Sequence, residues 1–210
     1  AVRPTRSIGI LYDRRDPFAQ LALGLLESVP IFPGTTETEK TTISNRSNKL
    51  FTLSAVYQAT QALLHKSKNH KLTKRDHELA RDYWTRLGEV IPEWRMAIKR
   101  QVSAADLRTQ YVHFHGVTLH ALGIAGHTLI AAYPDTWQKR LSRLEQVDWR
   151  RTNVQLWGGR AMQHGKMSKA AASVALTANA IKQALDLPLT AEEAALEREI
   201  APSTRARGAA

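Results

Sequence analysis

The sequence predicts an all-α protein, or very nearly so: a compact multi-helix domain around one central apolar helix. Three observations carry that expectation. Residues that cap helix starts punctuate the chain at Asp16-Pro17, Thr73, Ser103 and Thr190, each offering a side-chain oxygen to the unpaired amides of a first helical turn. Between them, apolar residues recur at spacings of three and four, without the sustained alternation of strands. One stretch, 107–132, is long, apolar and spaced by Gly116, Gly123 and Gly126. It reads as the buried centre, broken once near Gly116, with glycines that let another backbone approach closely.

The elements follow in order. Asp16 and Pro17 start a helix over 17–28 whose apolar face is Phe18, Leu21, Leu25 and Leu26, and Pro30 and Pro33-Gly34 end it. The Thr/Ser/Asn-rich stretch 35–49 reads as a polar loop with at most one helical turn. A helix over 52–66 places Leu53, Val56, Tyr57, Leu63 and Leu64 at helical spacing. Thr73 caps a helix running to Val90, and Pro92 opens a short one to Arg100. Ser103 with Asp106 forms a capping box for the next. Pro134-Asp135 starts a helix to Val147 with Trp137, Leu141 and Leu144 inward. Residues 148–167 read as an ordered loop, Ser168 as the cap of a helix over 169–185, and Thr190 as the cap of a last, acidic helix. Three units are expected: 1–48, a helix and loop segment; 49–200, the helical domain; and 201–210, a flexible tail.

Composition narrows the function. Of 210 residues, 43% are hydrophobic and 23% charged, which excludes a chain disordered throughout. There is no cysteine, so disulfides, thiolate nucleophiles and cysteine-held metal centres are excluded, and a reducing cytoplasm is expected. No apolar run reaches the roughly 20 residues of a membrane span, and Ala1-Val2-Arg3-Pro4 opens no signal peptide. Thirty Lys and Arg against 19 Asp and Glu give a net charge of +11, which favours a polyanionic partner, nucleic acid first.

The charge is unevenly spread. Residues 137–169 hold eight bases against Glu145 and Asp148, and 65–101 hold ten bases against five acids. The stretch 186–199 is acidic instead, with Asp186, Glu192, Glu193, Glu197 and Glu199 against Arg198. In 148–169 the bases alternate with Trp149, Trp157, Gly158 and Gly159 and lead into a helix start. Glycine-loop amides and arginines at a helix start suit phosphate. The helix that follows is expected to expose Lys169, Ser173, Thr177, Asn179 and Lys182 for groove contacts. The plainer reading makes Trp149 and Trp157 core anchors and the bases a solvated rim.

Catalysis finds little support. His113, His120 and His127 recur every seven residues but lack the i, i+4 spacing or the carboxylate of a metal site, and read as buried or interfacial histidines. No GxSxG, GxGxxG or GxxxxGK[ST] occurs. Asp13 and Asp16, flanking Arg14-Arg15, read as caps and surface pairs. No catalytic residue, cofactor or metal is expected.

Two stretches carry a family resemblance. Leu11-Tyr12-Asp13-Arg14-Arg15-Asp16 together with residues 41–55, Thr-Thr-Ile-Ser-Asn-Arg-Ser-Asn-Lys-Leu-Phe-Thr-Leu-Ser-Ala, resembles the middle of DndB proteins of DNA phosphorothioation, also called DNA sulfur modification. Independently, Asp148-Trp149-Arg150-Arg151-Thr152-Asn153, Trp157-Gly158-Gly159-Arg160-Ala161-Met162, Gly165-Lys166-Met167-Ser168-Lys169 and Leu187-Pro188-Leu189-Thr190 resemble the C-terminal signature of the same family. The DGQHR motif of the family's N-terminal domain does not occur. The chain is thus expected to be the part that follows that domain, with 1–48 a helical remnant of it.

What the resemblance implies is regulation. DndB-like proteins are repressors that bind promoter DNA, distinct from the desulfurase, iron–sulfur and ATPase components that transfer sulfur. The expected partner is double-stranded DNA of the operon promoter, in the bacterial cytoplasm at the nucleoid. Expected DNA contacts are Arg150, Arg151, Arg160, Lys166, Lys169, Thr177 and Lys182, with Arg14, Arg15, Arg46 and Lys49 as a second patch. A homodimer is the prior for a repressor reading a palindrome. Two alternatives remain. One is an interaction module for other phosphorothioation proteins, through the acidic helix or the glycine seam. The other is a DNA-acting enzyme, a nickase or nucleotide hydrolase, with its chemistry mostly outside this chain.

Overall fold

Asp16 fixes the start of the first helix. Its carboxylate accepts from the Phe18 and Ala19 amides at 2.9 and 3.3 Å, and Pro17 takes the first position of α1 (Pro17–Ser28). The same carboxylate accepts from the Tyr57 hydroxyl at 2.7 Å, which ties α1 to α2 (Leu53–Leu64). The computed structural model describes residues 9–10, 13, 15–67 and 70–205, with backbone alone for 201–205. Arg14, one of the expected DNA contacts, lies outside the described residues, as do Leu11 and Tyr12.

Between α1 and α2 the chain is more ordered than its polar composition suggests. Phe51 packs edge-on against Phe32 and Trp94, at 5.6 and 5.5 Å between ring centroids, and lies 6.0 Å from Phe114. Drawing Phe51 inward lays its backbone beside Thr36, so β1 (Thr36–Glu37) pairs in parallel with β2 (Phe51–Thr52). The helical turn allowed for in 35–49 does not form. Thr52 then caps α2 by accepting from the Ala55 amide, and His65 ends it in the left-handed region at φ 48°.

The next helices match their caps. A reciprocal capping box of Thr73 and Asp76 starts α3 (Lys74–Val90), and Lys66 pairs with Asp76 at 2.7 Å. Burial alone would raise the Asp76 carboxyl. The Lys66 ammonium and the Thr73 hydrogen bonds outweigh it and hold the group below its ordinary value. Pro92 opens α4 (Pro92–Ile98), and Ser103 caps α5 (Ala104–Gln110). A 3₁₀ turn over Val112–Phe114 follows, then α6 (Gly116–Ala132). The expected apolar helix over 107–132 is therefore interrupted just before Gly116.

α6 is the axis of the fold. It is apolar around most of its circumference because α2 packs on one side and the Ala171–Ala184 helix on another. Its glycines permit that approach: a Cβ on Gly123 would overlap the Ala59 carbonyl, and one on Gly126 would overlap the Tyr83 ring. Tyr83 uses the space to donate its hydroxyl to the Leu122 carbonyl at 2.6 Å. Across the same layer the Trp84 indole donates to Thr60 Oγ1 at 3.1 Å.

Beyond α6 the sequence reading needs three corrections. The helix expected from Pro134 starts at Trp137, giving α7 (Trp137–Leu141), and tightens into a 3₁₀ turn over Ser142–Gln146. Trp137, Leu141 and Leu144 point inward as expected. The stretch 148–167 contains a single turn, α8 (Val154–Trp157), and a hairpin of β3 (Met162–Gln163) and β4 (Lys166–Met167) closed by His164 and Gly165, both at positive φ. Ser168 does not cap the helix after it. α9 (Ala171–Ala184) starts from Ala170, while the Ser168 hydroxyl accepts from the Ala170 amide and the Ser173 hydroxyl. Thr190 does cap the last helix, α10 (Ala191–Arg205), by accepting from the Glu193 amide at 3.2 Å. Among the described residues no helix is long and apolar enough to cross a membrane.

Candidate nucleic-acid interface

The basic, tryptophan-containing segment is pinned to α5 by main-chain bonds. The Val112 amide donates to the Trp149 carbonyl at 3.0 Å, and the Arg151 amide to the Gln110 carbonyl at 2.8 Å. Trp149 and Trp157 stack at 5.2 Å, with their indole N–H groups on the Leu144 and Asp148 carbonyls. Both rings are fully buried, so they are anchors rather than stacking platforms for bases.

The glycine loop does not offer its amides to a ligand. The Gly158 amide donates to Val154, the Gly159 amide to the Met162 carbonyl and the Arg160 amide to Trp157. These glycines answer a packing need. A Cβ on Gly158 would lie 2.6 Å from the Val154 carbonyl oxygen, and Gly159 has φ +76° with Ile200 of α10 directly over it. The phosphate-cradling reading of this loop is thereby corrected.

The groove-reading face of α9 is corrected as well. Ser173, Thr177, Asn179 and Lys182 are buried, Thr177 completely. The Thr177 hydroxyl donates back to the Ser173 carbonyl at 2.6 Å, and Lys182 pairs with Glu193 at 2.5 Å. The Asn179 amide donates to the Glu193 carbonyl at 3.1 Å. Arg160 is taken in the same way by Glu197, at 2.5 Å, with both side chains mostly covered. Acidic α10 thus lies over two of the expected DNA contacts, Arg160 and Lys182. The sequence showed both charge blocks but not that they meet.

The remaining cations gather elsewhere. A half-open cleft of about 540 Å³ lies between the 41–58 segment, the α5–α6 junction and the start of α9. Asn45, Thr52, Arg151, Ser168 and Lys169 line it, so both stretches that carry the family resemblance border one space. Arg46 and Lys49 sit on the segment that forms one edge, and Lys166 on the hairpin that leads to the other. Arg46, Arg150, Lys166 and Lys169 are exposed; Arg150 reaches Asp148 only at 3.8 Å. Lys49 donates to the Gly34 carbonyl at 2.9 Å, and Arg151 to the Gly165 and Thr109 carbonyls at 3.1 and 3.4 Å. Arg15, exposed beside the Asp13 cap, is not among the residues lining the cleft.

One residue that builds the cleft was missed. Arg108 on α5 is buried, and its guanidinium donates to the carbonyls of Ser44, Asn45, Ser47 and Lys49, which shapes that edge. No sequence signal marks it, because its partners are backbone groups that any residue supplies. His115 completes the corner: its Nε2–H donates to the Arg108 carbonyl at 2.8 Å, which leaves Nδ1 as an acceptor. Burial pushes its ring down to about 4, against the opposing pull of that carbonyl, so it is neutral at pH 7.

His113 and His127 are structural. His113 precedes α6 rather than sharing a face with His120 and His127. Trp94 donates its indole N–H to His113 Nδ1 at 3.1 Å, so the ring proton sits on Nε2, 3.2 Å from the Glu93 carboxylate. Burial lowers the His113 proton affinity, and a second ring proton would have to displace the Trp94 bond. His127 stacks on His65 at 4.7 Å. Among the described residues no three His, Asp or Glu side chains gather as a metal site requires.

Residues 1–188 match the model of a family described as DndB, DNA-sulfur modification-associated. No curated protein and no solved structure matches the chain.

Proposed function

The chain belongs to the DndB family of DNA-sulfur modification-associated proteins, and from that premise we propose that it is a DNA-binding regulator, a repressor of a phosphorothioation operon. The observation that supports the reading is the meeting of its two signature stretches, about a hundred residues apart, around one basic cleft. Duplex phosphates contact the rim through Arg46, Lys49, Arg151, Lys166 and Lys169, with Arg150 as a further contact beside Arg151. Lysines and arginines at an edge suit backbone contacts, which fix position and carry most of the affinity. In this reading the chain binds rather than catalyses, and it works beside DNA in the bacterial cytoplasm.

A titration with the chain's own operon promoter and a length-matched random duplex, at several salt concentrations, tests it. Removing Arg46, Lys166 and Lys169 together, each to Gln, is expected to lower the slope of log K against log salt by about one per cation. Lys182→Gln is expected to leave that slope unchanged, because α10 already holds this lysine. An unaltered slope in the triple variant refutes the rim, and equal affinity for both duplexes refutes operator recognition by this chain.

A further inference from the structure

The cleft has a chemistry of its own, apart from its rim. Its volume, about 540 Å³, falls within the roughly 300–1,000 Å³ of small-molecule sites. Among the described residues lining it there is no carboxylate, while Arg151 and Lys169 bring positive charge. Arg108 adds a third cation, but its donors are committed to the four carbonyls of the 44–49 edge. Arg151 is fixed by the Gly165 and Thr109 carbonyls, so its charge is held in place rather than left to swing into solvent. Lys169 is exposed and carries no ion pair among the described residues.

The rest of the lining is of two kinds. Ile43, Val117, Met167 and Val174 give an apolar surface, part of it from each side. Between them stand hydroxyls of Thr41, Thr42, Thr109 and Ser168, the Asn45 amide and the His115 ring. A ligand that satisfies all of this carries an anionic group, an apolar portion that fits between the walls, and hydrogen-bonding edges. An inorganic anion would use only the charge, and an apolar ligand would leave Arg151 and Lys169 facing an uncharged group.

We propose that this cleft binds a single nucleotide unit, with its phosphate toward Arg151 and Lys169 and its base and sugar between the walls carrying Ile43 and Val174. The unit has two sources, a free nucleotide or one nucleotide of a DNA strand turned into the cleft. The inference stands on the cleft alone and holds whether or not the rim binds duplex DNA. Asn45 and the acceptor Nδ1 of His115 supply partners for the base edge. The Thr and Ser hydroxyls supply partners for the sugar and the phosphate oxygens.

The test uses the whole chain in calorimetric titrations with deoxyadenosine monophosphate, deoxyadenosine, inorganic phosphate and a single-stranded tetranucleotide. Two variants fill the cleft from opposite walls without touching its cations, Val174→Trp from α9 and Ala105→Trp from α5. Circular dichroism identifies which of them keeps the native fold, and a folded one decides.

Saturable one-to-one binding of the monophosphate is expected, with the nucleoside and inorganic phosphate each weaker by about tenfold or more. A folded cleft-filling variant is expected to lose about tenfold or more, and so is Lys169→Gln. The same pattern with the tetranucleotide in place of the monophosphate assigns the unit to a DNA strand. The proposal is overturned by nucleoside or inorganic phosphate binding as tightly as the monophosphate, by a folded cleft-filling variant keeping full affinity, or by saturation with neither nucleotide probe. Duplex binding that survives in Val174→Trp keeps the rim reading separate from this one.

Discussion

Lowering the pH from 7 to 5 should destabilise the fold through His115, and the size of the effect follows from its surroundings. Burial holds the folded ring at about 4, against an ordinary value of 6.5. The folded state therefore prefers the neutral ring, and the unfolded chain takes up the proton first. Stability from this preference is fully present above about pH 6.5 and is lost as the pH falls toward 4. The whole gap is worth about 3 kcal/mol, of which about 2 kcal/mol falls between pH 7 and 5, where most carboxylates stay ionised in both states. His113 acts in the same direction, because Trp94 occupies the nitrogen that a second proton would need. His115→Gln keeps an N–H for the Arg108 carbonyl while removing the titration. Urea unfolding followed by tryptophan fluorescence at the two pH values should show the variant losing about 2 kcal/mol less than the parent. Equal losses would refute the argument and mean that the ring titrates as a solvated one.

Four further outcomes are expected. Gly123→Ala should cost about 3 kcal/mol in urea unfolding, because its methyl would meet the Ala59 carbonyl and overpacking exceeds the gain in helix propensity. Gly24→Ala on α1, whose Cβ meets nothing within 4 Å, should instead stabilise by about 0.5 kcal/mol. Arg108→Lys leaves three donors for four carbonyls, so hydrogen exchange of the 44–50 amides should quicken and stability fall by about 2 kcal/mol. Glu193→Gln with Glu197→Gln should raise exchange across 191–200 without moving the main unfolding transition, since no described residue of α10 is fully buried. A concerted loss of the whole fold would show α10 to be integral instead.

How far the sequence could be read depended on whether the cause was local. Asp16-Pro17, Thr73 and Thr190 act within three residues of themselves, and the helices begin where they stand. Ser168 has the same chemistry but is engaged by the Ser173 hydroxyl and the Ala170 amide, so α9 starts two residues late. The short β1–β2 pair had no local signal at all. It follows from Phe51 reaching an aromatic cluster assembled from Phe32, Trp94 and Phe114, three residues from distant parts of the chain. The cleft was legible in halves. Its cations at 46–49 and 150–169 stood out by composition, whereas Arg108 and His115, which shape it, did not.

The failed part of the site reading has one physical origin. A helical face is polar either because water meets it or because another polar element does, and the periodicity of α9 is the same in both cases. Arg160 looked like a phosphate contact because it is basic and sits beside glycines and a helix start, and Lys182 like a groove contact because it lies on the polar face of the helix that follows. Glu193 and Glu197 lie one turn apart on α10, at the spacing needed to meet the two cations, at 2.5 Å each. The acidic block at 186–199 was therefore the informative signal. A strongly basic chain that retains a compact acidic helix has an internal partner for part of its charge, and the cations of the cleft and its rim are not among those that this helix pairs.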